Sequence, residues 1–213
     1  MKTFDFPLYF VVGEENCIGK DLLWTIEEAI IGGVDLLQLR EKHLNDKDFL
    51  LLAKKVKAIC QKHDIPLIIN DNLWVAQEVE SDGIHVGNSD ANPLKIREAW
   101  PSCKILGYSA DLMEHLNNSF ASVSDYLGIS PVFKTPTKED TLGEWGIEGL
   151  IKARSLTDKP LVAIGGIHEK EIVPILDTGV ESICVVSEIA AHPDPRKAAA
   201  NIKKQINDYY EKV

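Results

Sequence analysis

The stretch Tyr126-Leu-Gly-Ile-Ser-Pro-Val-Phe-Lys-Thr-Pro-Thr-Lys-Glu-Asp140 carries the pattern on which the whole chain is built. Its first residues, Tyr126 to Ile129, form an apolar run that predicts a buried strand. A polar loop follows, and residues 145–156 are then predicted to form a helix. A long ordered loop between two such elements is usually functional. We therefore expect this loop to carry part of a binding site.

The loop contains hydroxyl groups and a cation that suit a phosphate ester. Thr135 and Thr137 flank Pro136, whose ring fixes one backbone torsion, and Lys138 adds a positive charge. Phosphate oxygens accept hydrogen bonds from hydroxyls, backbone N–H groups and ammonium groups. The alternative is a solvated surface loop that is rich in Thr and Lys by chance. The loop alone does not distinguish these two interpretations.

The same strand-then-helix pattern occurs eight times along the chain. Short apolar runs predict strands at 8–12, 35–40, 66–70, 83–86, 104–108, 126–129, 161–164 and 181–186. Helical spacing and caps predict helices at 21–31, 45–63, 72–79, 93–100, 111–122, 145–156, 168–178 and 195–212. Strands that are apolar throughout are buried on both faces, and alternation with helices implies parallel pairing with right-handed crossovers. Eight such units predict an α/β fold of the (β/α)8 TIM barrel type.

Size and composition favour one globular domain. The chain has 213 residues, of which 45% are hydrophobic and 26% charged, which is ordinary for a protein with a substantial core. No linker or low-complexity stretch interrupts the pattern, so we predict a single TIM-barrel domain over residues 1–213. The alternative fold is an open doubly wound sheet, but the sequence lacks its glycine fingerprint after the first predicted strand.

Charge and cysteine usage argue against several classes of partner. The formal net charge is −10, which disfavours nucleic acid. The four cysteines are widely spaced without a C-x-x-C motif, which argues against a zinc site or a disulfide framework and predicts a cytoplasmic location. We recognise no signal peptide and no apolar run as long as a membrane span. We thus expect no nucleic-acid or membrane partner, while a homo-oligomer is compatible with the sequence.

The active site of a TIM barrel lies at the C-terminal ends of its strands, so polar residues at those ends are predicted to converge. After the second strand come Gln38, Arg40 and Lys42, which the strand period places on one side. Two cations and an amide at a strand end predict a clamp for an anion. The alternative is that Arg40 and Lys42 pair with Glu41 or face solvent.

Two aspartates at neighbouring strand ends form a candidate Mg²⁺ site. Asp71 follows the third strand, directly after Asn70, and Asp90 follows the fourth. Carboxylates together with water and phosphate oxygens make up the octahedral coordination that Mg²⁺ prefers. The alternative is that both aspartates cap the following helices, which is a common use of Asp in such loops.

Small polar residues end the fifth, seventh and eighth strands. Ser109 either donates to a ligand oxygen or caps the next helix. Gly165-Gly166 and Val186-Ser187 lie where such barrels commonly bind phosphate through backbone N–H groups, and plain turn geometry is the alternative for the glycine pair. The sequence therefore predicts a basic, metal-assisted anion site on strands two to five and a neutral, backbone-rich one on loops six to eight.

No Ser/His/Asp triad is recognised. His85 lies within a strand and is predicted to be a core residue, while His43 and His168 are predicted to be solvated.

Taken in order, these residues resemble the thiamine phosphate synthase (thiamine-phosphate pyrophosphorylase) family over nearly the whole chain. Asn72, Ser130 and His168 differ from the residues usual in that family. The resemblance runs through Gln38–Lys42, Leu67–Asp71, Asp82–Gly87 with Asp90, Gly107–Ser109, Pro131–Lys138, Ala163–Gly166 and Val185–Ser187.

The resemblance implies a transferase of thiamine biosynthesis that requires Mg²⁺. The family joins 4-amino-2-methyl-5-hydroxymethylpyrimidine diphosphate to 4-methyl-5-(2-phosphooxyethyl)thiazole and releases thiamine phosphate and pyrophosphate. By motif, the pyrimidine diphosphate site would comprise Gln38, Leu39, Arg40, Glu41, Lys42, Asn70, Ser109 and Lys138. The thiazole phosphate site would comprise Thr135, Pro136, Thr137, Gly166, Val186 and Ser187. Asp71 and Asp90 would hold Mg²⁺, and Arg40, Lys42 and Lys138 would act in catalysis.

Three other functions remain alternatives. A thiazole tautomerase shares the barrel and the thiazole phosphate site, but it has no need of Thr-Pro-Thr-Lys or the paired aspartates. An isomerase of amino-acid biosynthesis would need an acid/base pair, which we do not find. A non-catalytic thiazole phosphate binder would lose Asp71, Asp90 or Lys138, and all three are present.

Overall fold

The computed structural model describes residues 4–135 and 143–212. Within these ranges, strands and helices alternate in the predicted order. The strands are β1 Leu8–Val12, β2 Leu36–Leu39, β3 Leu67–Asn70, β4 Gly83–Val86, β5 Ile105–Ala110, β6 Tyr126–Ile129, β7 Leu161–Ile164 and β8 Ser182–Val185. The helices are α1 Leu22–Ile31, α2 Asp46–Lys62, α3 Leu73–Glu78, α4 Pro93–Ala99, α5 Ser119–Val123, α6 Gly146–Leu156, α7 Ile172–Leu176, α8 Ser187–Ala190 and α9 Pro195–Tyr210.

The strands form a closed parallel barrel. Each strand pairs with the next one in the chain, and β8 returns to pair with β1, where Tyr9 lies opposite both Leu36 and Cys184. This closure confirms the predicted α/β TIM-barrel fold. The extent of a single domain over residues 1–213 stays a prediction.

Strand side chains alternate between two apolar clusters, as the two-residue period of a strand requires. Outward-facing residues such as Phe10, Leu37 and Ile69 pack beneath the helices. Inward-facing residues of the strands form a smaller cluster that Phe4 and Phe6 close at the N-terminal end of the barrel. The C-terminal end is lined by polar residues instead, and a pocket opens there. The inner cluster comprises Tyr9, Val11, Leu36, Ile68, Tyr126, Val162 and Cys184.

Asparagine residues are the N-caps of several helices, so the nearby aspartates do not serve as caps. The Asn72 side chain accepts from Val75 N–H at the start of α3, and that of Asn92 accepts from Leu94 N–H at the start of α4. The alternative that Asp71 and Asp90 cap these helices is therefore wrong. Predicted caps are also seen elsewhere: Asp21 begins α1, and Asn45 begins α2.

Two predicted helices are shorter than expected because each is interrupted. The predicted helix at 111–122 is divided into a 3₁₀ turn at Met113–Asn117 and α5, since the Asn118 side chain caps a new start. The predicted helix at 168–178 is divided into a 3₁₀ turn at Glu169–Glu171 and α7.

Two short elements at the C-terminal end of the barrel were not predicted. A 3₁₀ turn at Glu14–Cys17 follows β1, and the short helix α8 begins at Ser187 after β8. Across the two described ranges, no helix combines the length and apolarity that crossing a membrane requires.

Candidate active site

A pocket with a cavity volume of about 290 Å³ opens at the C-terminal end of the barrel. Its lining comes from the ends of strands around the whole barrel, so residues far apart in sequence meet there. The predicted site residues that line it are Gln38, Arg40, Lys42, Asn70, Asp71, Asp90, Ser109, Thr135, Gly166, Val186 and Ser187.

The other predicted site residues fall into two groups. Leu39 is fully buried beneath the helices, and Glu41 accepts a hydrogen bond from Glu14 N–H at 2.7 Å, so neither lines the pocket. Contact of these two residues with a ligand stays a prediction. Pro136, Thr137 and Lys138 lie outside the described residues.

The basic wall of the pocket is formed by Arg40 and Lys42. The Arg40 side chain is only 17% exposed, and its guanidinium lies 3.7 Å from the carboxylate of Glu15. Its acidic partner is thus Glu15 in the loop after β1, and not Glu41, which the sequence had offered as the alternative to an anion clamp. Lys42 is exposed and lines the same pocket. The two cations therefore approach the pocket from its interior and from its rim, respectively.

Asp71 and Asp90 form the acidic part of the site. The Asn70 side-chain amide donates to Asp71 Oδ2 at 2.5 Å, and Gly87 N–H donates to Asp90 Oδ2 at 2.8 Å. Burial and the neighbouring Asp90 carboxylate raise the pKa of Asp71 to about 7, although Arg40 and Lys42 act to lower it. The nearby cations thus leave part of this negative charge uncompensated.

The backbone of Asp71 is also unusual. Its φ is 61°, a left-handed conformation that costs a non-glycine residue about 1–2 kcal/mol. Such strained residues cluster at functional sites, where the surrounding structure holds them in place. Here the conformation turns the chain immediately after β3 and brings the carboxyl group to the pocket.

A chain of hydrogen bonds crosses the floor of the pocket inside the barrel. The Gln38 amide nitrogen donates to Tyr9 Oη at 2.5 Å, and Tyr9 Oη lies 2.9 Å from Tyr126 Oη. Tyr126 Oη lies 2.9 Å from His85 Nδ1, and His85 Nε2 lies 2.9 Å from Ser109 Oγ. The prediction that His85 belongs to the core is therefore corrected, because its ring is partly buried and lines the pocket. Ser109 contacts this ring rather than capping a helix.

Loops six and seven are joined by backbone pairing. Val132 N–H donates to Ile164 O and Phe133 N–H donates to Gly165 O, both at 2.9 Å. Gly166 has a φ of 66°, and a Cβ there would lie 2.6 Å from Lys134 O and 2.7 Å from Phe133 O. Glycine is therefore required by torsion and by close approach together. The pairing brings the end of loop six, with Thr135, to the same pocket as the glycine pair.

The two other histidines considered in the sequence analysis, His43 and His168, differ in their surroundings. His168 is exposed as predicted, yet it lines the pocket and its Nδ1 lies 2.7 Å from Glu188 Oε2 on α8. The His43 side chain is 83% exposed and lies 3.7 Å from Glu15.

Several lining residues were missed from the sequence because they carry no charge or lie within strands. Asn16 belongs to the 3₁₀ turn after β1 and accepts from Gly13 N–H at 2.9 Å. The Asn88 side-chain amide donates to Asp111 at 2.7 Å and to Ser109 O at 3.2 Å. Their positions directly after β1 and β4 were the available signal. Tyr9 and Tyr126 gave no such signal, since they read as core residues.

Known proteins are similar to this chain over almost all of its length. The family described as Thiamine monophosphate synthase matches residues 8–189. A thiamine-phosphate synthase of Albidiferax ferrireducens is 41% identical over 200 residues, covering 94% of this chain and 91% of the relative. A thiamine-phosphate synthase of Clostridium tetani is 37% identical over 207 residues, covering 97% and 99%. The solved structure of a thiamine phosphate pyrophosphorylase from Pyrococcus furiosus superimposes with a TM-score of 0.88 at 28% identity, covering 96% of this chain and 97% of that one.

Proposed function

Because the chain belongs to the thiamine monophosphate synthase family, we propose that its barrel pocket joins hydroxymethylpyrimidine diphosphate to thiazole phosphate. The enzyme is a transferase of thiamine biosynthesis, and its products are thiamine phosphate and pyrophosphate. The observation that carries the proposal is the lining of the pocket. Arg40, Lys42, Asp71 and Asp90 line it after β2, β3 and β4, and the glycine pair Gly165-Gly166 lines it after β7.

The pyrimidine diphosphate occupies the basic side. Arg40 and Lys42 contact the diphosphate, and Gln38, Asn70 and Ser109 hold the rest of the substrate. Positive groups that are fixed before the reaction stabilise charge that develops in the transition state, and they do so without reorganising. Arg40 suits this role because its partly buried guanidinium is held beside Glu15. Lys138 is proposed to complete the cationic set from outside the described residues.

Asp71 and Asp90 are proposed to hold Mg²⁺. The fit rests on their chemistry, since two adjacent carboxylates supply hard oxygen ligands and the raised pKa of Asp71 reflects negative charge that a cation would offset. Among the residues that the structure describes, no group of three or more His, Cys, Asp or Glu is placed to hold a metal ion. Water and the diphosphate would therefore supply the remaining ligands. When bound, Mg²⁺ neutralises charge on the diphosphate.

The thiazole phosphate occupies the neutral side. Thr135, Gly166, Val186 and Ser187 line this part of the pocket. The absence of a side chain at Gly166 lets the backbone of loop six, which ends at Thr135, approach the glycine pair, and Pro136 and Thr137 are proposed to extend the site. The glycine pair then combines the turn geometry and the ligand contact that the sequence presented as alternatives.

Positioning and charge neutralisation account for the chemistry. The bond between the exocyclic carbon and the diphosphate oxygen breaks first, and its electron pair leaves with pyrophosphate. The pyrimidine cation that remains is stabilised by its ring amine. The lone pair of the thiazole nitrogen then forms the new carbon–nitrogen bond. Arg40, Lys42 and Lys138 neutralise the leaving group, and the barrel walls hold the two reactants together. No general base is needed, which agrees with the lack of a recognisable triad in the sequence.

The cellular setting is also part of the proposal. We place the enzyme in the cytoplasm, with phosphorylated small molecules as its substrates. The support is that Cys17, Cys60, Cys103 and Cys184 are all free and buried, which suits a reducing compartment.

The test is to identify the product directly. Purified protein is mixed with both substrates and Mg²⁺, and thiamine phosphate is measured by chromatography, with each substrate omitted in turn. We expect product only when both substrates are present. No product, together with retained binding of thiazole phosphate, would instead indicate a tautomerase or a binding-only relative.

A further inference from the structure

The hydrogen-bond chain on the pocket floor has a fixed direction. The Gln38 nitrogen can only donate, so Tyr9 Oη accepts at that contact. Tyr9 then donates its single proton to Tyr126, and Tyr126 donates its own to His85 Nδ1. The opposite direction would leave the Tyr9 proton without an acceptor among these contacts. A fully buried donor that is left unpaired destabilises the folded protein, so the first direction is favoured.

The direction of the chain determines what its two ends present to the pocket. His85 accepts at Nδ1, so in its neutral form it carries its proton on Nε2 and donates to Ser109 Oγ. The Ser109 hydroxyl proton is therefore available to a ligand. At the other end, one of the two Gln38 amide protons is donated to Tyr9, which fixes the orientation of the amide and presents its oxygen as an acceptor beside one remaining N–H. Ser109 thus offers a donor, and Gln38 offers an acceptor oxygen.

Two glycines make room for this chain. A Cβ at Gly107 would lie 2.2 Å from Cζ of Tyr126 and 2.4 Å from Nδ1 of His85. A Cβ at Gly128 would lie 3.2 Å from Cε1 of His85. Both glycines are on inward-facing positions of β5 and β6, beside the contact between the two rings. The sequence of these strands is therefore fitted to the Tyr126–His85 hydrogen bond.

We propose that Tyr9, Tyr126 and His85 are positioning residues, which hold Gln38 as an acceptor and Ser109 as a donor toward the pyrimidine diphosphate. This inference rests on the proposed function, which assigns those two end residues to that substrate. An aminopyrimidine offers the complementary groups, because its exocyclic amine donates and its ring nitrogens accept. Burial supports the assignment by raising the pKa of both tyrosines well above the usual value, so the phenols stay protonated.

The first test is Tyr126→Phe, which removes the hydroxyl linking the two halves of the chain. We expect the KM for pyrimidine diphosphate to rise about tenfold, the effect of losing about 1.4 kcal/mol of binding. The KM for thiazole phosphate should stay within about twofold, since that substrate contacts the opposite wall. Tyr209→Phe on the outer helix α9 is the matched control and should change neither value. Equal changes in both KM values for Tyr126→Phe would indicate general disruption and overturn the proposal.

The second test reads the direction of the chain without any substrate. Nitrogen-15 NMR of the histidines distinguishes a neutral ring protonated on Nε2 from one protonated on Nδ1. We expect the Nε2–H form for His85 in wild type and a loss of that preference in Tyr126→Phe. An Nδ1–H form in wild type would overturn the proposal. The expected tautomer in a protein that makes no thiamine phosphate would overturn the proposed function, and with it the substrate assigned to the two ends.

A pair of His85 variants keeps the proposal testable if Tyr126→Phe does not fold. His85→Gln retains an N–H donor near Ser109, whereas His85→Leu does not. We expect the kcat/KM of His85→Gln for pyrimidine diphosphate to be at least about fivefold higher than that of His85→Leu, which is the effect of one hydrogen bond. Equal losses in two variants of matched thermal stability would contradict a positioning role.

Discussion

The carboxyl group of Asp71 lies against that of Asp90 between the ends of β3 and β4, and its pKa is raised to about 7 by burial and by that neighbour. Two carboxylates held together in this way bind a proton near neutral pH unless a cation replaces it. The protonation state of this pair should therefore affect both the Mg²⁺ affinity and the stability of the barrel.

Binding of Mg²⁺ should release a proton at acidic pH. Below about pH 7, Asp71 carries a proton that the metal must displace, so the apparent Mg²⁺ affinity should fall by up to about tenfold per pH unit. Calorimetry in buffers of different ionisation enthalpy, with pyrophosphate present, measures the number of protons released. We expect about one proton per Mg²⁺ at pH 6 and fewer at pH 8. Metal binding without proton release at pH 6 would contradict this assignment.

Removing the Asp71 charge should stabilise the metal-free protein at alkaline pH. The pKa of Asp71 is higher when folded than the ordinary carboxyl value, so its contribution to stability is present at low pH and is lost as pH rises through about 7. Asp71→Asn should therefore raise the melting temperature in chelator at about pH 8, with a smaller gain at about pH 5.

Asp64→Asn is the matched control for that change. Asp64 also has a left-handed backbone, with φ 57°, but it is exposed and lies outside the pocket. Asp64 belongs to neither the proposed metal site nor the Asp71–Asp90 pair. Any gain in melting temperature for Asp64→Asn would therefore reflect backbone torsion alone and should be independent of pH. A gain for Asp71→Asn that is equally independent of pH would contradict the role of the carboxyl pair.

Arg40 should matter more for the reaction than for substrate binding. Arg40→Ala removes a cation that neutralises the leaving group, so kcat should fall on the order of 10²–10³, the scale for losing one transition-state donor. Glu15→Gln leaves Arg40 in place and serves as the control, with kcat expected within about threefold of wild type. Steady-state kinetics with both substrates measures both effects. An Arg40→Ala enzyme with unchanged kcat would remove this residue from the catalytic set.

Lys138 is predicted to act with Arg40 on the leaving group. Lys138→Ala should lower kcat on the order of 10²–10³ for the same reason. Lys134→Ala in the same loop is the control, because Lys134 is exposed and does not line the pocket. A kcat of Lys138→Ala within about threefold of the wild-type value would contradict the proposed role of this lysine.

Gly166→Ala should weaken thiazole phosphate selectively. A Cβ at this position would collide with the carbonyl oxygens of Phe133 and Lys134 and displace loop six. We expect the KM for thiazole phosphate to rise about tenfold or more, with a smaller change for pyrimidine diphosphate. Gly179→Ala is the control, because Gly179 has a similar φ of 83° but its nearest contact is 3.4 Å away, on the side chain of Arg154. Equal KM changes for the two substrates in Gly166→Ala would contradict the separation of the two sites.

The barrel was predictable from the sequence because each buried strand is a continuous apolar run. The runs at Leu8–Val12, Tyr126–Ile129 and Leu161–Ile164 were predicted with the bounds that the structure gives them. Helix interruptions were not predictable in the same way. The break before α5 arises because the Asn118 side chain accepts hydrogen bonds from two backbone N–H groups and so caps a new helix. The spacing of apolar residues does not reveal such a cap.

The site was predictable where charge and strand period agree. Strand period places Gln38, Arg40 and Lys42 toward the pocket, and it places Leu39 and Glu41 on the other side. Family motif alone had included all five residues, whereas the structure brings only the first three to the pocket.

The hydrogen-bond chain on the floor could not be inferred from the sequence. Tyr9 and Tyr126 are 117 residues apart, and each reads as an ordinary core aromatic within its own strand. Their contact exists only because the closed barrel brings β1 and β6 to face each other across its interior.

The most direct test of the account is pyrophosphate release by wild type and by Asp71→Asn, measured with both substrates over a titration of Mg²⁺. We predict that wild type releases pyrophosphate only when both substrates and the metal are present, and that chelator abolishes the release. The Asp71→Asn enzyme should need at least about tenfold more Mg²⁺ to reach half its maximal rate. Release by wild type that is unaffected by chelator, or an identical metal requirement in the two proteins, would contradict the account.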